Sequence, residues 1–162
     1  FNYFCILDFN YGEIPIEKPN NLVPYITQTA IGKLDELTVI GNDYDTRDGS
    51  NIRDYIHVCD IAHAHTLALQ FLIDNKNKTN CEVFNLGTGI GVSVLEAIAA
   101  FENVSGKKLN YTIGARRAGD VVAVYADNTK AQQELNWYCK YNINDAMLSA
   151  WNWENKMSEL KL

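Results

Sequence analysis

Short apolar runs of strand length alternate with longer amphipathic segments that start and stop on cap residues. This order of elements restricts the chain more than any single motif does. YFCIL at residues 3–7, LTVI at 37–40, YIHV at 55–58, VFNL at 83–86 and LNYTI at 109–113 read as strands or strand-like stretches. Between them lie helical segments. Asn20 or Asn21 caps a helix that carries Leu22, Ile26 and Ala30 on one face, with Pro24 in its first turn and Gly32 at its end. Asp60 caps the next, whose Ile61, His65, Ala68 and Leu72 fall near one stripe. Ser93 and Glu96 form an S-x-x-E capping box that opens a helix running through Phe101, and Gly106 stops it. Residues 128–135 and about 144–157 read as the last two helices. Such interleaving predicts an α/β fold.

Composition narrows the function classes. Hydrophobic residues make up 47% of the 162, enough for a packed core. The formal charge of −6 argues against a nucleic-acid partner, whose footprint is basic. No apolar run approaches the roughly 20 residues of a membrane-spanning helix, and the opening residues lack the basic start and cleavage site of a signal peptide. The absence of an initiator Met before a strand-like opening suggests a piece of a longer chain. Cys5, Cys59, Cys81 and Cys139 form no CxxC pair and have no His at ligand spacing, so no metal site is expected. Buried thiols in a cytoplasmic protein are the expected reading.

Few residues carry chemistry by themselves. GTGIG follows VFNL and precedes a capped helix, as a phosphate cradle would. Its spacing is GxGxG rather than GxGxxG, and Lys107 and Lys108 stand where a ribose-binding acid belongs. A tight strand-to-helix turn is the favoured reading. His63 and His65 are two apart on one helix and face different ways, and His57 reads as a packed residue rather than a base. The arginines say more. Arg47, Arg53, Arg116 and Arg117 are the only four, and three of them sit beside aspartates in NIRDYIHV and ARRAGD. Arginine forks in two distant segments could clamp a diphosphate, with an aspartate accepting from ribose hydroxyls. They could equally be two surface pairs, Arg53–Asp54 and Arg117–Asp120.

The string NNLVPYITQTAIGKLDELTVIGNDYDTRDGSNIRDYIHVCDIAHAHTLAL resembles the UDP-galactose 4-epimerases of the extended short-chain dehydrogenase/reductase family. VFNLGTGIGVSVLE, ARRAGDVVAVYADNTKAQQELNW and the closing AWNWE carry the same resemblance, which runs from about residue 19 to 156. It implies the C-terminal, substrate-binding part of such an enzyme, with most of the NAD-binding Rossmann half missing. Residues 1–18 would be a remnant of the NAD-binding domain and 19–162 the UDP-sugar-binding domain. The family interconverts UDP-glucose and UDP-galactose: a bound NAD takes a hydride from sugar C4, and the 4-keto intermediate turns over and is reduced on its other face. The full-length parent would be a cytoplasmic homodimer of galactose metabolism. The glycine fingerprint, the catalytic Ser or Thr and the Tyr-x-x-x-Lys pair lie upstream in the family, and no YxxxK occurs here. This chain alone is therefore expected to be inactive, with no catalytic residue of its own. The alternatives are a non-catalytic UDP-sugar-binding remnant, or part of a related nucleotide-sugar dehydratase or decarboxylase.

Carried over position by position, the resemblance implies that Asn21 bonds a phosphate oxygen and Leu22 lies along the nucleotide. Thr38 and Ile40 present backbone groups and an apolar surface to the uracil. Arg53 and Arg117 pair with the diphosphate, Asp120 accepts from the ribose, and Tyr55 lines the same cleft. Tyr3 would lie near the nicotinamide. Val124 falls where a side chain borders the sugar's 2-substituent, and a valine leaves room for the N-acetyl group of UDP-N-acetylhexosamines. The sequence departs from the family at Cys5, where an Asn is usual, at Ile40, often aromatic, and at Ala118, usually Glu.

Overall fold

The computed structural model describes residues 19–160. The expected remnant at 1–18, with its strand at 3–7, Tyr3 and Cys5, lies outside the described residues. In chain order the elements are α1 (Leu22–Ile31), β1 (Leu37–Ile40), β2 (Ile52–Arg53), α2 (Val58–Ile73), β3 (Val92–Ser93), α3 (Val94–Ser105), β4 (Tyr111–Gly114), α4 (Thr129–Leu135) and α5 (Ile143–Glu159). The α/β expectation holds. The strands form two small sheets: β1 lies parallel to β4, with Leu37 opposite Tyr111, and β2 lies antiparallel to β3.

Local chemistry accounts for most element ends. Asn21 is the N-cap of α1, which ends at Gly32. At α3 the Ser93 hydroxyl accepts from the Glu96 N–H, while the Glu96 carboxylate accepts from the Ser93 N–H, so the capping box forms as its spacing predicts. Gly106 closes that helix in the left-handed conformation that an L side chain resists. A second box opens α5: the Asn142 side chain accepts from Asn144 N and Asp145 N, and Asp145 returns the bond.

Four sequence expectations are corrected. Asp60 does not cap α2; His57 does, its ring accepting from Cys59 N. The carboxylate of Asp60 turns inward instead and accepts from Lys140 N and Tyr141 N. YIHV is therefore the approach to a helix, and the strand ends at Arg53. VFNL makes no ladder among the described residues. The buried stripe of α2 consists of Ile61, Ala64 and Phe71, whereas His65 and Leu72 face outward.

Two apolar clusters hold the structure. One joins α1, β1, Tyr55, α3, Leu109 and α5, with Phe101 edge-on to Trp151. The other gathers Ile56, α2, α4 and Trp137, whose indole donates to the Asp60 carbonyl at 2.8 Å. Leu69, Leu72 and Ile73 remain exposed along α2. Among the described residues no helix is long and apolar enough to cross a membrane.

Candidate functional site

Strand alternation builds one wall of a cleft. Leu37 and Val39 turn into the core at 3% and 2% exposure, so Thr38 and Ile40 must face the other way. The start of α1 brings Asn21 and Leu22 beside them, β2 brings Arg53, and the turn at 117–120 brings Arg117 and Asp120. Together with Tyr55 these residues line a cleft of about 450 Å³. Eight of the nine substrate-binding positions expected from the sequence thus converge: Asn21, Leu22, Thr38, Ile40, Arg53, Tyr55, Arg117 and Asp120. Val124 is not among the lining residues; it is half exposed, and its N–H donates to the Ile52 carbonyl.

The two cleft arginines are held differently. Arg53 Nη1 donates to the carbonyls of Ile52 and Val121, both at 2.8 Å. One nitrogen thus fixes the arm and leaves most of the guanidinium donors available. Arg117 donates from Nε and Nη2 to Asp120 at 3.1 and 2.8 Å. The expected surface pairing is therefore half present, since Arg117–Asp120 forms. Arg53–Asp54 is replaced: Asp54 accepts from Thr88 N, the Thr88 hydroxyl and Ala126 N. The other two arginines are engaged outside the cleft. Arg47 binds the Glu96 carboxylate and the Gly91 carbonyl. Arg116 binds Asp43 and stacks over Tyr44 at 4.1 Å. Burial raises the Tyr55 phenol's pKa despite the opposing pull of Arg53, so Tyr55 stays protonated and neutral.

Sequence reasoning missed Tyr25, Glu36, Asn51 and Val94 in the same lining. Tyr25 stands three residues beyond Leu22 on α1, and Asn51 two before Arg53, so both were within reach of simple periodicity. Glu36 stands two before Thr38 and was equally within reach, whereas Val94 carries no such signal.

His57 is a packed residue, as expected. Cys59 N donates to Nδ1 at 3.2 Å, which places the ring proton on Nε2, facing Ser149 Oγ at 3.4 Å. Ser149 donates to the Ala146 carbonyl, and Tyr141 stacks on the imidazole at 4.4 Å. No basic nitrogen faces the serine, so the pair is not a nucleophile with its base. Burial lowers the His57 pKa against the pull of Asp60 and Asp145, keeping the ring neutral.

The thiols differ from the expectation of burial. Cys81 is exposed, and Cys59 and Cys139 are half-buried. Desolvation pushes the Cys139 thiol up to about 12, which leaves it unreactive. Among the described residues no three His, Cys, Asp or Glu side chains gather as metal ligands.

The GTGIG loop does not fit a dinucleotide. A Cβ on Gly87 would meet Asp54 at 2.1 Å, and one on Gly91 would meet Ile52 at 2.2 Å. Gly87 and Gly91 are thus pressed against protein, and Asp54 already takes the Thr88 N–H. The loop is a close-packed turn, as its spacing suggested.

An α/β chain with a cleft formed by a helix start, a strand and two arginines can hold an anionic ligand, and similarity to known proteins identifies its family. It belongs to the family described as GDP-mannose 4,6 dehydratase, whose model matches residues 7–149. It is 49% identical over 145 residues to UDP-glucose 4-epimerase 1 of Oryza sativa subsp. japonica, a match over 90% of this chain and 41% of that protein. The structure of UDP-glucose-4-epimerase from Stenotrophomonas maltophila, with bound NAD and formylated UDP-arabinopyranose, is 46% identical. It superposes with a TM-score of 0.88 over 92% of this chain and 44% of that one. The Bifidobacterium longum UDP-glucose 4-epimerase, in complex with NAD+ and UDP, is 44% identical with a TM-score of 0.85, covering 95% of this chain and 46% of that one. The chain thus spans less than half the length of these relatives.

Proposed function

We propose that this chain is the UDP-gripping, C-terminal part of a UDP-glucose 4-epimerase that interconverts UDP-glucose and UDP-galactose. Residues 19–162 form the UDP-sugar-binding domain, 1–18 belong to the NAD-binding domain, and NAD is held by the remainder of the parent enzyme. The observation that carries this is the meeting of eight separately expected residues in one cleft. The chemistry of the lining suits the ligand. Two guanidinium groups and the start of a helix favour a diphosphate. Asp120 offers a carboxylate to ribose hydroxyls, and Thr38 and Ile40 present a strand face to a flat base. Such a division of labour grips the nucleotide end and leaves the sugar free to turn.

Calorimetric titration tests the reading. UDP binds the chain, and uridine, which lacks the phosphates, binds at least about tenfold more weakly, since charged hydrogen bonds are each worth about 1.5–3 kcal/mol. Equal affinity for the two would sink the proposal.

Val124 carries a narrower proposal, that the parent enzyme also converts UDP-N-acetylhexosamines. Valine leaves space that a tyrosine would fill, and overpacking a tight site costs roughly 1–3 kcal/mol. The neighbouring Tyr125 does not refill that space, because its ring packs over Gly91. The parent enzyme should turn over UDP-N-acetylgalactosamine and lose that activity with Val124→Tyr. Unchanged turnover in the variant would remove Val124 as the gate.

A further inference from the structure

We propose that Asn51 is an additional diphosphate contact, through which the cleft discriminates nucleoside diphosphates from nucleosides. This rests on the cleft being the UDP site. Ile52 is buried at 9% exposure, so strand alternation sets Asn51 and Arg53 on one side of β2, and both line the cleft. The backbone here is pinned on both edges. Asn51 O accepts from Val94 N at 3.1 Å, Ile52 N donates to Val122 O at 2.9 Å, and Ile52 O accepts from Val124 N at 3.0 Å.

Against this fixed backbone the Asn51 amide is unused, since its side chain makes no hydrogen bond among the described residues. A carboxamide offers two N–H donors and no charge. It can add to the field of Arg53 without pairing with it, as an aspartate would. Two strand residues advance about 6.6 Å. With the reach of the arginine arm, the amide and the guanidinium can approach the oxygens of one diphosphate from the same wall. Its donors stand on the same side of β2 as Arg53, the residue read as the diphosphate contact, so its natural partner is a phosphate oxygen.

The test titrates the full chain and its Asn51→Ala, Asn51→Asp and Arg53→Ala variants with UDP and, by competition, with uridine. Asn51→Ala should lose about tenfold in UDP affinity, and Asn51→Asp about a hundredfold, because the new carboxylate repels the diphosphate and competes for Arg53. Uridine affinity should be unchanged in both, which also shows that the variants are folded. Unchanged UDP affinity in Asn51→Ala, with Arg53→Ala impaired, would overturn the assignment alone. Equal losses for UDP and uridine would move the amide to the nucleoside and overturn it too. Failure of the unsubstituted chain to bind UDP would overturn the cleft reading and this assignment with it.

Discussion

Arg53→Ala and Arg117→Ala are each expected to weaken UDP binding by roughly 1.5–3 kcal/mol, the range for hydrogen bonds to charged groups. Arg47→Ala should change it by less than about 0.5 kcal/mol, as surface substitutions away from such contacts do. Arg53 should fall at the upper end. Its arm is already fixed by two carbonyls, so little ordering is left to lose on binding. Arg117 should fall lower, because it is three-quarters exposed and must share its donors with Asp120. Arg53→Lys should restore only part of the loss, since an ammonium keeps the charge but not the fork. Arg47 reports on folding instead, because its partner Glu96 belongs to the α3 capping box. Calorimetry at two salt concentrations checks the series. Equal losses at all three arginines would reveal a diffuse electrostatic effect and remove the clamp.

Asp60→Ala should cost roughly 3–5 kcal/mol of folding stability, since a hydrogen bond to a charged group contributes about 1.5–3 kcal/mol and the Asp60 carboxylate accepts two. Asp60 is 1% exposed. Its two carboxylate oxygens accept from Lys140 N at 3.0 Å and Tyr141 N at 3.2 Å. Removing them orphans two N–H groups that join the start of α2 to the approach to α5, beside the stacked His57 and Tyr141. Asp60→Asn should recover little, because one oxygen becomes a donor facing a donor. Urea unfolding midpoints measure the effect at constant m-value. A loss under about 1 kcal/mol would mean that water replaces the carboxylate and that the site is not closed.

The same residue shows where the sequence stopped being informative. Asp60 stands before an apolar run, which is where an N-cap belongs. Nothing nearby reveals that N–H groups from residues 140 and 141 claim its carboxylate. The Ser93–Glu96 box was legible because both partners lie within one turn. Asn142 and Asp145 form the same kind of box and went unread, since Asn-x-x-Asp departs from the familiar residue types. VFNL has the composition of a strand, but a strand needs a partner, and composition does not supply one. In the cleft, the arginine and aspartate motifs were visible while their convergence was not. Chemistry alone left phosphate clamp and surface pair equal, and only the family resemblance chose between them. Tyr25 and Asn51 went unread, although periodicity around Leu22 and Arg53 points to them.

The partnership of β1 with β4 sets an order of events during synthesis. Leu37 and Val39 leave the ribosome well before their strand partners, Tyr111 and Ile113, which come only after α2 and α3 have been made. Until then, two residues destined for the core stay open to other contacts. Thr27, on α1, waits longer still for Glu154 on α5. Contacts this distant in sequence slow folding, because loop closure must precede the contacts that reward it. The nascent chain therefore passes through a long interval in which α1 and β1 are complete but unpaired, and a chaperone that shields apolar segments would act on that interval.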